Sequence, residues 1–262
     1  MTDERHARLG ARFAELHQEG CFLLANVGDA GTAKALSEAG VDAIATSSSA
    51  HAETIGRSDA AGDVSMAEHA EHTAALVAAA EVPLNVDAEN GYGHEPEDMV
   101  AAVQAFAATG AAGMGIEDWS GDPERGAYER ALAIARIEAA VEAASALDRP
   151  FVITGRTEVL LYGLDGGMDE ALARLQGFAE VGAHCLYAPG TWDLDAIRTV
   201  TQNAGGPTNI LVPIGFALSF DDVAEAGARR ISIGGSLYSS QVTYGRRVIE
   251  SLMSTGSFEP PA

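Results

Sequence analysis

EAGARRI, residues 225–231, joins the end of an alanine-rich stretch to a short apolar run through one glycine. The same pattern recurs in EAGVDAI (38–44), ATGAAGM (108–114) and EVGAHCL (180–186). Glycine is typical of a helix end, because it adopts the left-handed conformation that closes a helix. The run that follows has the length and composition of a buried strand. Each pattern therefore predicts a helix-to-strand join.

Eight apolar runs of this kind are predicted strands: 21–27, 42–46, 82–88, 113–118, 150–156, 184–189, 209–214 and 229–235. The helices predicted between and after them are 30–39, 65–80, 96–109, 130–146, 168–181, 193–203, 219–226 and 237–255. Eight strand–helix units predict an α/β fold, a single (β/α)8 TIM-type barrel over residues 1–262 with an extra N-terminal helix in residues 1–20 that caps the barrel bottom. A doubly wound sheet in two domains is the alternative, but no Pro-, Ser- or charge-rich boundary divides the chain.

Composition excludes several classes of function. The 262 residues include 38 acidic and 16 basic side chains, a formal net charge of −22, and Lys34 is the only lysine. Such a chain offers no basic surface for nucleic acid or for anionic lipid. No apolar run approaches a membrane span, and the first residues lack the apolar stretch of a secretory signal, so we expect a cytoplasmic protein. Two cysteines are too few for a disulfide framework.

Acidic residues follow three neighbouring strands of the predicted barrel. Asp87 and Glu89 end the third strand, Glu117 ends the fourth, and Asp59 lies in the loop after the second. The carboxyl ends of the strands form the active-site face of such barrels. If the third strand continues to residue 89, Asp87 and Glu89 point to one side. Carboxylates that converge with no lysine nearby favour a hard cation, so we predict Mg2+ here, although helix and loop capping would explain each acid alone.

Polar groups suited to an oxyanion stand beside these acids. Arg156, in ITGRTE, offers a guanidinium fork to a carboxylate or phosphonate, although an ion pair with Glu158 or Glu117 explains it equally well. The run Thr46, Ser47, Ser48 and Ser49 offers hydroxyl and backbone N–H donors to a second oxyanion, although a plain polar loop is the alternative. Asn26 and Tyr187, at other strand ends, complete the candidate substrate-binding residues, and substrate choice depends on the pocket volume around them.

Six segments together resemble the isocitrate lyase/phosphoenolpyruvate mutase superfamily over almost the whole chain. Their order and spacing agree with that superfamily: LLANVGDAGTAKALSEAGVDAIATSSSA (23–50), NVDAENGYG (85–93), GIEDWSGDP (115–123), ITGRTE (153–158), CLYAPG (185–190) and RRISIGGSLY (229–238). The resemblance implies a barrel enzyme that acts on small 2-oxo or 2-hydroxy carboxylates through a metal-stabilised enolate. It also implies a homotetramer, or a dimer, in which the last helix is swapped between subunits.

The resemblance also implies roles for individual residues. Asp87 matches the acid that ligates Mg2+ directly, while Glu89 and Glu117 match acids that hold it through waters; Mn2+ is an alternative ion. Asp59 matches a further active-site aspartate. The residues 47–49 match the loop that grips the 2-oxo acid carboxylate, and Arg156 matches the arginine that contacts the other oxyanion.

Departures from the superfamily pattern bear on the activity. The segment EDWSGDPERGAYERA (117–131) contains neither the Lys and Cys of the isocitrate and methylisocitrate lyases nor the Lys and Asn of the phosphonate enzymes. Glu89 also stands where Asp is commoner. The remaining prediction is a Mg2+-dependent lyase that cleaves a carbon–carbon bond of a small 2-oxo or 2-hydroxy dicarboxylic acid. A carbon–phosphorus mutase or hydrolase and a non-catalytic 2-oxo acid binding protein are the alternatives.

The proton donor of such a reaction is left open by the sequence. Tyr128 and Glu124 on the loop after the fourth strand, His51 beside the serines, and Tyr187 are the candidates. Glu158 is a further catalytic candidate, together with Arg156 and Asp59. By contrast, the His-containing segment EHAEHTAAL (68–76) is predicted to be the polar face of a surface helix rather than a metal site.

Overall fold

The computed structural model describes residues 2–57 and 63–259, in which helices and strands alternate along the chain. The elements are α1 (Thr2–Leu16), β1 (Phe22–Asn26), α2 (Ala30–Ala39), β2 (Ala43–Ala45), α3 (Ser48–Thr54), α4 (Met66–Ala79), β3 (Leu84–Asp87), α5 (Pro96–Ala108), β4 (Gly113–Glu117), α6 (Arg130–Ser145), β5 (Val152–Arg156), α7 (Gly167–Glu180), β6 (Cys185–Tyr187), α8 (Leu194–Asn203), β7 (Thr208–Leu211), α9 (Phe220–Glu225), β8 (Arg230–Ser232) and α10 (Ser236–Thr255).

The eight strands form a closed barrel in chain order, and every neighbouring pair is parallel. The ring closes where β8 pairs with β1, with Phe22 opposite Arg230. The predicted (β/α)8 barrel is therefore confirmed. All strand ends that carry the candidate site residues meet at one face.

The four predicted helix-to-strand joins are built on left-handed glycines. Gly40, Gly110, Gly182 and Gly227 have φ angles of 88°, 89°, 92° and 102°. A side chain in this region costs about 1 kcal/mol or more, so each position favours glycine. The repeated sequence pattern thus corresponds to a repeated backbone turn.

Alternation along the strands divides the core into two parts. Outward side chains such as Val86, Met114 and Ile116 pack between the strands and the helices, together with Phe106 and Phe178. The inward side chains of the same strands face the barrel axis. As a result, the apolar core surrounds the barrel, and its axis is free for polar residues at the carboxyl ends.

The N-terminal helix closes the opposite end of the barrel. Phe13 of α1 is fully buried and packs with the strand-start residues Phe22, Ala43 and Val152. At the end of the helix, the His17 ring lies edge-on to Phe22. The extra N-terminal helix was predicted correctly, and it seals the bottom of the barrel by apolar contact.

Helix α3 was not predicted, because the segment after β2 was interpreted as a polar loop. Ser47 caps this helix through its side-chain oxygen, which accepts a hydrogen bond from the Ala50 backbone N–H at 3.3 Å. A serine N-cap supplies a partner for one of the otherwise unpaired N–H groups of the first turn. The serine run therefore begins a helix, and this orients Ser48 towards the barrel mouth.

The C-terminal helix α10 differs from the other long helices. It spans 20 residues, and none of them is buried. Val242, Tyr244, Ile249 and Met253 are between about half and four-fifths exposed. Within the described part of the chain, no helix is both long and apolar enough to cross a bilayer.

Candidate active site

A cavity of about 160 Å3 opens at the carboxyl end of the barrel. The predicted residues that line it are Asn26, Ser47, Ser48, Ser49, Asp87, Arg156 and Tyr187. Glu117 and Glu158 contact Arg156 at its edge. Asp59 lies outside the described residues. The structure thus brings most of the predicted site together at one mouth.

Arg156 is the centre of the charge network. Its Nη1 lies 3.1 Å from Asp87 Oδ1, its Nη2 lies 3.3 Å from Glu117 Oε2, and its Nε donates to Glu158 Oε1. Strand register accounts for part of this contact, because Glu117 is directly opposite Arg156 in the β4–β5 pair. The sequence left open whether Arg156 makes an ion pair or binds an oxyanion. The structure shows ion pairs with three carboxylates.

The mouth carries more negative charge than Arg156 neutralises. Burial raises the pKa of Glu117 well above its ordinary value; Arg156 opposes this, while the charges of Glu158, Asp87 and Glu89 add to it. Burial also raises the pKa of Glu158, against the effect of Arg156. Three carboxylates contact one guanidinium, and the charge of Glu89 acts on the same cluster. Fully ionised, these four acids against one arginine would leave three formal negative charges, and the raised pKa values show that this full charge is unfavourable without a further cation. This imbalance favours a cation.

Asp87 is held from both sides. The backbone N–H and the hydroxyl of Ser48 both donate to its Oδ2 at 3.1 Å, while Arg156 contacts Oδ1. Its own backbone N–H donates to Thr46 Oγ1 at 2.8 Å. The sequence grouped Thr46 with the serines as a donor to an oxyanion. In the structure its hydroxyl oxygen instead orients Asp87 and lies 3.2 Å from His69 Nε2.

The loop after β3 departs from the predicted geometry. The strand ends at Asp87, and Glu89 lies in the left-handed region with a φ of 49°, as does Tyr92 with a φ of 61°. The condition under which Asp87 and Glu89 would point to one side, a strand that continues to residue 89, is therefore not met. Instead, the Glu89 carbonyl accepts the Glu117 backbone N–H at 2.9 Å, which ties the loop to β4. Left-handed residues of this kind cost about 1–3 kcal/mol each and cluster at functional sites.

The donor set at the mouth suits a hard cation. Asp87 and Glu117 offer carboxylate oxygens, the ligands that Mg2+ prefers. Glu89 lines a separate cavity with Asn90 and Tyr92, and its charge helps to raise the pKa of Glu117. Glu158 is fully buried, and its Oε2 has no hydrogen-bond partner within the described residues. No group of three or more His, Cys, Asp or Glu side chains in residues 2–57 and 63–259 is arranged to hold a metal ion. One or two carboxylates with waters are the usual protein contribution to a Mg2+ site.

Asn26 lines the cavity, but its amide is used elsewhere. Its Nδ2 donates to the Thr46 carbonyl at 2.8 Å, and its Oδ1 accepts the backbone N–H groups of Ile233 and Gly234 at 3.2 and 2.9 Å. These bonds join the end of β1 to the ends of β2 and β8. Asn26 therefore shapes the mouth, and only the second hydrogen of its Nδ2 is left for a substrate.

Four residues were candidate proton donors: Tyr128, Glu124, His51 and Tyr187. Among the described residues that line the cavity, Tyr187 is the only one of these four. Tyr128 is buried outside it, with its hydroxyl 2.7 Å from His94 Nδ1 and the Arg136 guanidinium 4.1 Å from its ring centroid. His51 stacks on His72 behind the serines. Burial raises the pKa of Tyr187 to about 12, against the opposing charge of Arg156, so its hydroxyl keeps its proton near neutrality.

The histidines of α4 are not on a surface face, which corrects the sequence interpretation. His69 is 1% exposed, with Nε2 3.2 Å from Thr46 Oγ1 and Nδ1 2.6 Å from the Tyr92 hydroxyl. His72 stacks on His51 with ring centroids 3.8 Å apart. The face that was interpreted as solvated packs against α3 and the loop after β3, because imidazole can satisfy buried polar neighbours.

Acid is expected to destabilise the protein through these buried rings. Burial lowers the pKa of His69 to about 3, so the folded state holds a neutral ring while the unfolded chain binds a proton below about pH 6.5. The free energy of unfolding should therefore fall by about 1.4 kcal/mol per pH unit for this residue as pH drops from 6.5 towards 4.5. Urea unfolding at three pH values should show a slope shallower by that amount in His69→Gln. The matched variant His94→Gln should keep the steeper slope, and equal slopes in both variants would contradict this assignment.

Comparison with known proteins agrees with this geometry. A family model described as phosphoenolpyruvate phosphomutase matches residues 13–253. A solved structure from Burkholderia cenocepacia J2315, provisionally described as a lyase/mutase, has a TM-score of 0.92 and 37% identity over 97% of this chain and 91% of that chain. An oxaloacetate decarboxylase of Paraburkholderia xenovorans (strain LB400) is 27% identical over 83% of this chain and 75% of its own. A 2-methylisocitrate lyase of Escherichia coli (strain K12) is 33% identical over 45% of this chain, and the match covers only 40% of that lyase.

Proposed function

Because the chain belongs to the phosphoenolpyruvate phosphomutase family, within the isocitrate lyase/phosphoenolpyruvate mutase superfamily, we propose that it is a Mg2+-dependent lyase. Its substrate is a small 2-oxo or 2-hydroxy dicarboxylic acid, and it cleaves a carbon–carbon bond. The observation that carries the proposal is the mouth in which Asp87, Glu117 and Glu158 contact one arginine.

Asp87 would hold the metal ion, Mg2+ or alternatively Mn2+, directly, and Glu117 and Glu89 would hold it through waters. The ion supplies Lewis-acid stabilisation of negative charge on a substrate oxygen. The charge excess and the raised pKa of Glu117 support this assignment, since a divalent cation offsets most of the excess. Ser48 keeps the Asp87 carboxylate in one orientation through two hydrogen bonds.

The residues of the chain divide the remaining tasks. Ser47 and Ser49, whose hydroxyl oxygens lie 3.0 Å apart at the start of α3, offer donors to a substrate carboxylate. The Tyr187 hydroxyl, which stays protonated near neutrality, is the group at the cavity that can give a proton to the carbon released by bond cleavage. Asp59 is kept as a further catalytic candidate on the resemblance alone.

A substrate panel tests this function directly. Oxaloacetate, malate-type acids, methylisocitrate and phosphonopyruvate would be incubated with Mg2+ and after chelation, and pyruvate, glyoxylate, carbon dioxide and phosphate would be measured. We expect metal-dependent release of a 2-oxo acid and no phosphate. Phosphate release from phosphonopyruvate would instead establish a carbon–phosphorus hydrolase, and its isomerisation to phosphoenolpyruvate would establish a mutase. No turnover of these acids, with Mg2+-dependent binding of oxalate, would favour the non-catalytic alternative over the lyase.

We further propose that α10 packs against a second copy of the chain, in a swapped dimer or tetramer. Its apolar side chains Ile249 and Met253 are 53% and 81% exposed. Apolar surface of this kind is unfavourable in water and is typical of a protein–protein interface. Light scattering after size exclusion should give a mass that is a multiple of 27.1 kDa. The double variant Ile249→Glu/Met253→Glu should shift the mass to the monomer, whereas Ile249→Leu should not. A monomeric unmodified protein would refute the assembly.

A further inference from the structure

The cavity continues below the mouth into the interior of the barrel. On several strands its lining includes both the strand-end residue and the inward residue two positions earlier: Asn85 below Asp87, Thr154 below Arg156, Asn209 below Leu211 and Arg230 below Ser232. Two residues of a strand span about 6–7 Å. Such barrel interiors are usually filled by branched aliphatic side chains. Here the small residues Ala45 and Gly115 leave the interior open, and polar side chains line it.

Arg230 lies at the deep end of this cavity without a counter-ion. It is 2% exposed, and within the described residues no carboxylate lies within salt-bridge distance of its guanidinium. Its hydrogen-bond partners are uncharged or held neutral: Nε donates to Asn209 Oδ1 at 2.9 Å, Nη2 donates to Thr154 Oγ1 at 3.1 Å, and Nη1 lies 3.3 Å from His17 Nε2. Burial lowers the pKa of the neighbouring His17 to about 3, so that ring carries no charge near neutrality.

The two arginines of the cavity therefore differ in what they can still bind. Arg156 already contacts three carboxylates, while Arg230 contacts none within the described chain. A buried charge without a partner is unfavourable, so the deep end attracts an anion more strongly than the mouth arginine does. Arg230 is thus the better candidate for an anionic group that enters from the mouth.

A second, independent observation points to a ligand at the same depth. Asn85 is 5% exposed and lines the cavity, and its Nδ2 donates to the Val86 carbonyl at 3.2 Å. Its Oδ1 is buried without a hydrogen-bond partner among the described residues. Buried polar atoms in native proteins nearly always have a partner. The missing partner is a hydrogen-bond donor, such as a hydroxyl or a water that accompanies a bound anion.

We propose that Arg230, with Thr154 and Asn209, forms a deep subsite for the distal carboxylate of the substrate, and that Asn85 Oδ1 accepts a hydrogen bond beside it. This inference rests on the proposed function, because it assumes that the 2-oxo or 2-hydroxy end of the substrate stays at the mouth with Asp87. The spacing of about two strand residues between the mouth and Arg230 then selects dicarboxylates over monocarboxylates of the same size.

Calorimetric binding in the presence of Mg2+ tests the subsite. Pyruvate is the monocarboxylate probe, and 2-oxoglutarate and 3,3-difluorooxaloacetate, which keep the 2-oxo acid end and add a second carboxylate, are the dicarboxylate probes. In Arg230→Met we expect the affinity for a dicarboxylate to fall by about 30-fold or more, because a buried charge partner is lost. Pyruvate affinity should change by less than about twofold. Arg230→Lys should recover part of the dicarboxylate affinity, since it keeps the charge.

The outcomes separate this inference from the proposed function. Equal losses for pyruvate and the dicarboxylates, or no loss for either, would overturn the subsite. Dicarboxylate binding that depends on Arg230 but not on Mg2+ would keep the subsite and contradict the metal-dependent function. Absence of all binding in the unmodified protein would overturn both. If Arg230→Met does not fold, Thr154→Val removes one partner of the guanidinium and should weaken only dicarboxylate binding, by about fivefold to tenfold.

Discussion

The Asp87→Asn variant is expected to turn over its substrate about a thousandfold more slowly than the unmodified protein at saturating Mg2+. Asparagine has nearly the shape of aspartate, so the contact with Ser48 survives, but the negative charge at the mouth is lost. A loss of about 4 kcal/mol in transition-state stabilisation corresponds to this factor. Steady-state rates across a Mg2+ titration, for whichever acid the substrate panel identifies, measure the effect.

The matched control is Asp222→Asn, which changes an exposed carboxylate that does not line the cavity. Asp222 caps the exposed helix α9, where its Oδ2 accepts the Ser219 backbone N–H at 3.1 Å. We expect this variant to keep the rate and the Mg2+ dependence of the unmodified protein. If Asp87→Asn also kept both, Asp87 would not be a metal ligand, and the proposed mechanism would fail at its first step.

The barrel could be predicted because its signals are local. A left-handed glycine at the end of a helix and an apolar run after it need no knowledge of the rest of the chain, and all four repeated patterns proved to be such joins. Parallel strands then bring their carboxyl ends to one face, so Asp87, Glu117 and Arg156 could be placed together from the order of strands alone.

The parts that could not be predicted depend on contacts between distant segments. His69 appears polar in sequence, and its burial follows from the packing of α4 against Thr46 and Tyr92. The inward orientation of Arg230 is harder still to predict, because the segment RRI (229–231) contains two adjacent arginines. A shift of one residue along a strand exchanges inward and outward side chains, so the sequence cannot tell which arginine enters the barrel. In the structure Arg230 does, while Arg229 is bonded to the Gly20 carbonyl at the surface.

The Arg174→Met variant is expected to lower the free energy of unfolding by about 3–5 kcal/mol, the largest stability effect anticipated for a single substitution here. Arg174 Nη1 lies 3.0 Å from Asp118 Oδ2, and Asp118 is 2% exposed. Methionine preserves the aliphatic volume but leaves the Asp118 carboxylate buried without its charged partner. The same guanidinium nitrogen also donates to the Tyr128 carbonyl at 2.8 Å, and this bond is lost as well. Urea unfolding at pH 7 measures the change.

Arg198→Met provides the exposed counterpart, because Arg198 pairs with Asp195 at 3.1 Å on the surface of α8. Exposed pairs of this kind contribute about 0–1 kcal/mol, so the control should lose little stability. Equal losses of stability in the two variants would show that burial does not determine the contribution of the Arg174–Asp118 pair.

The Arg174–Asp118 pair is also connected to the active site, because Asp118 Oδ1 accepts the Glu158 backbone N–H at 2.9 Å. A carboxylate held by Arg174 thus fixes the backbone beside Arg156, and Arg174→Met should lower turnover at temperatures where the protein is still folded.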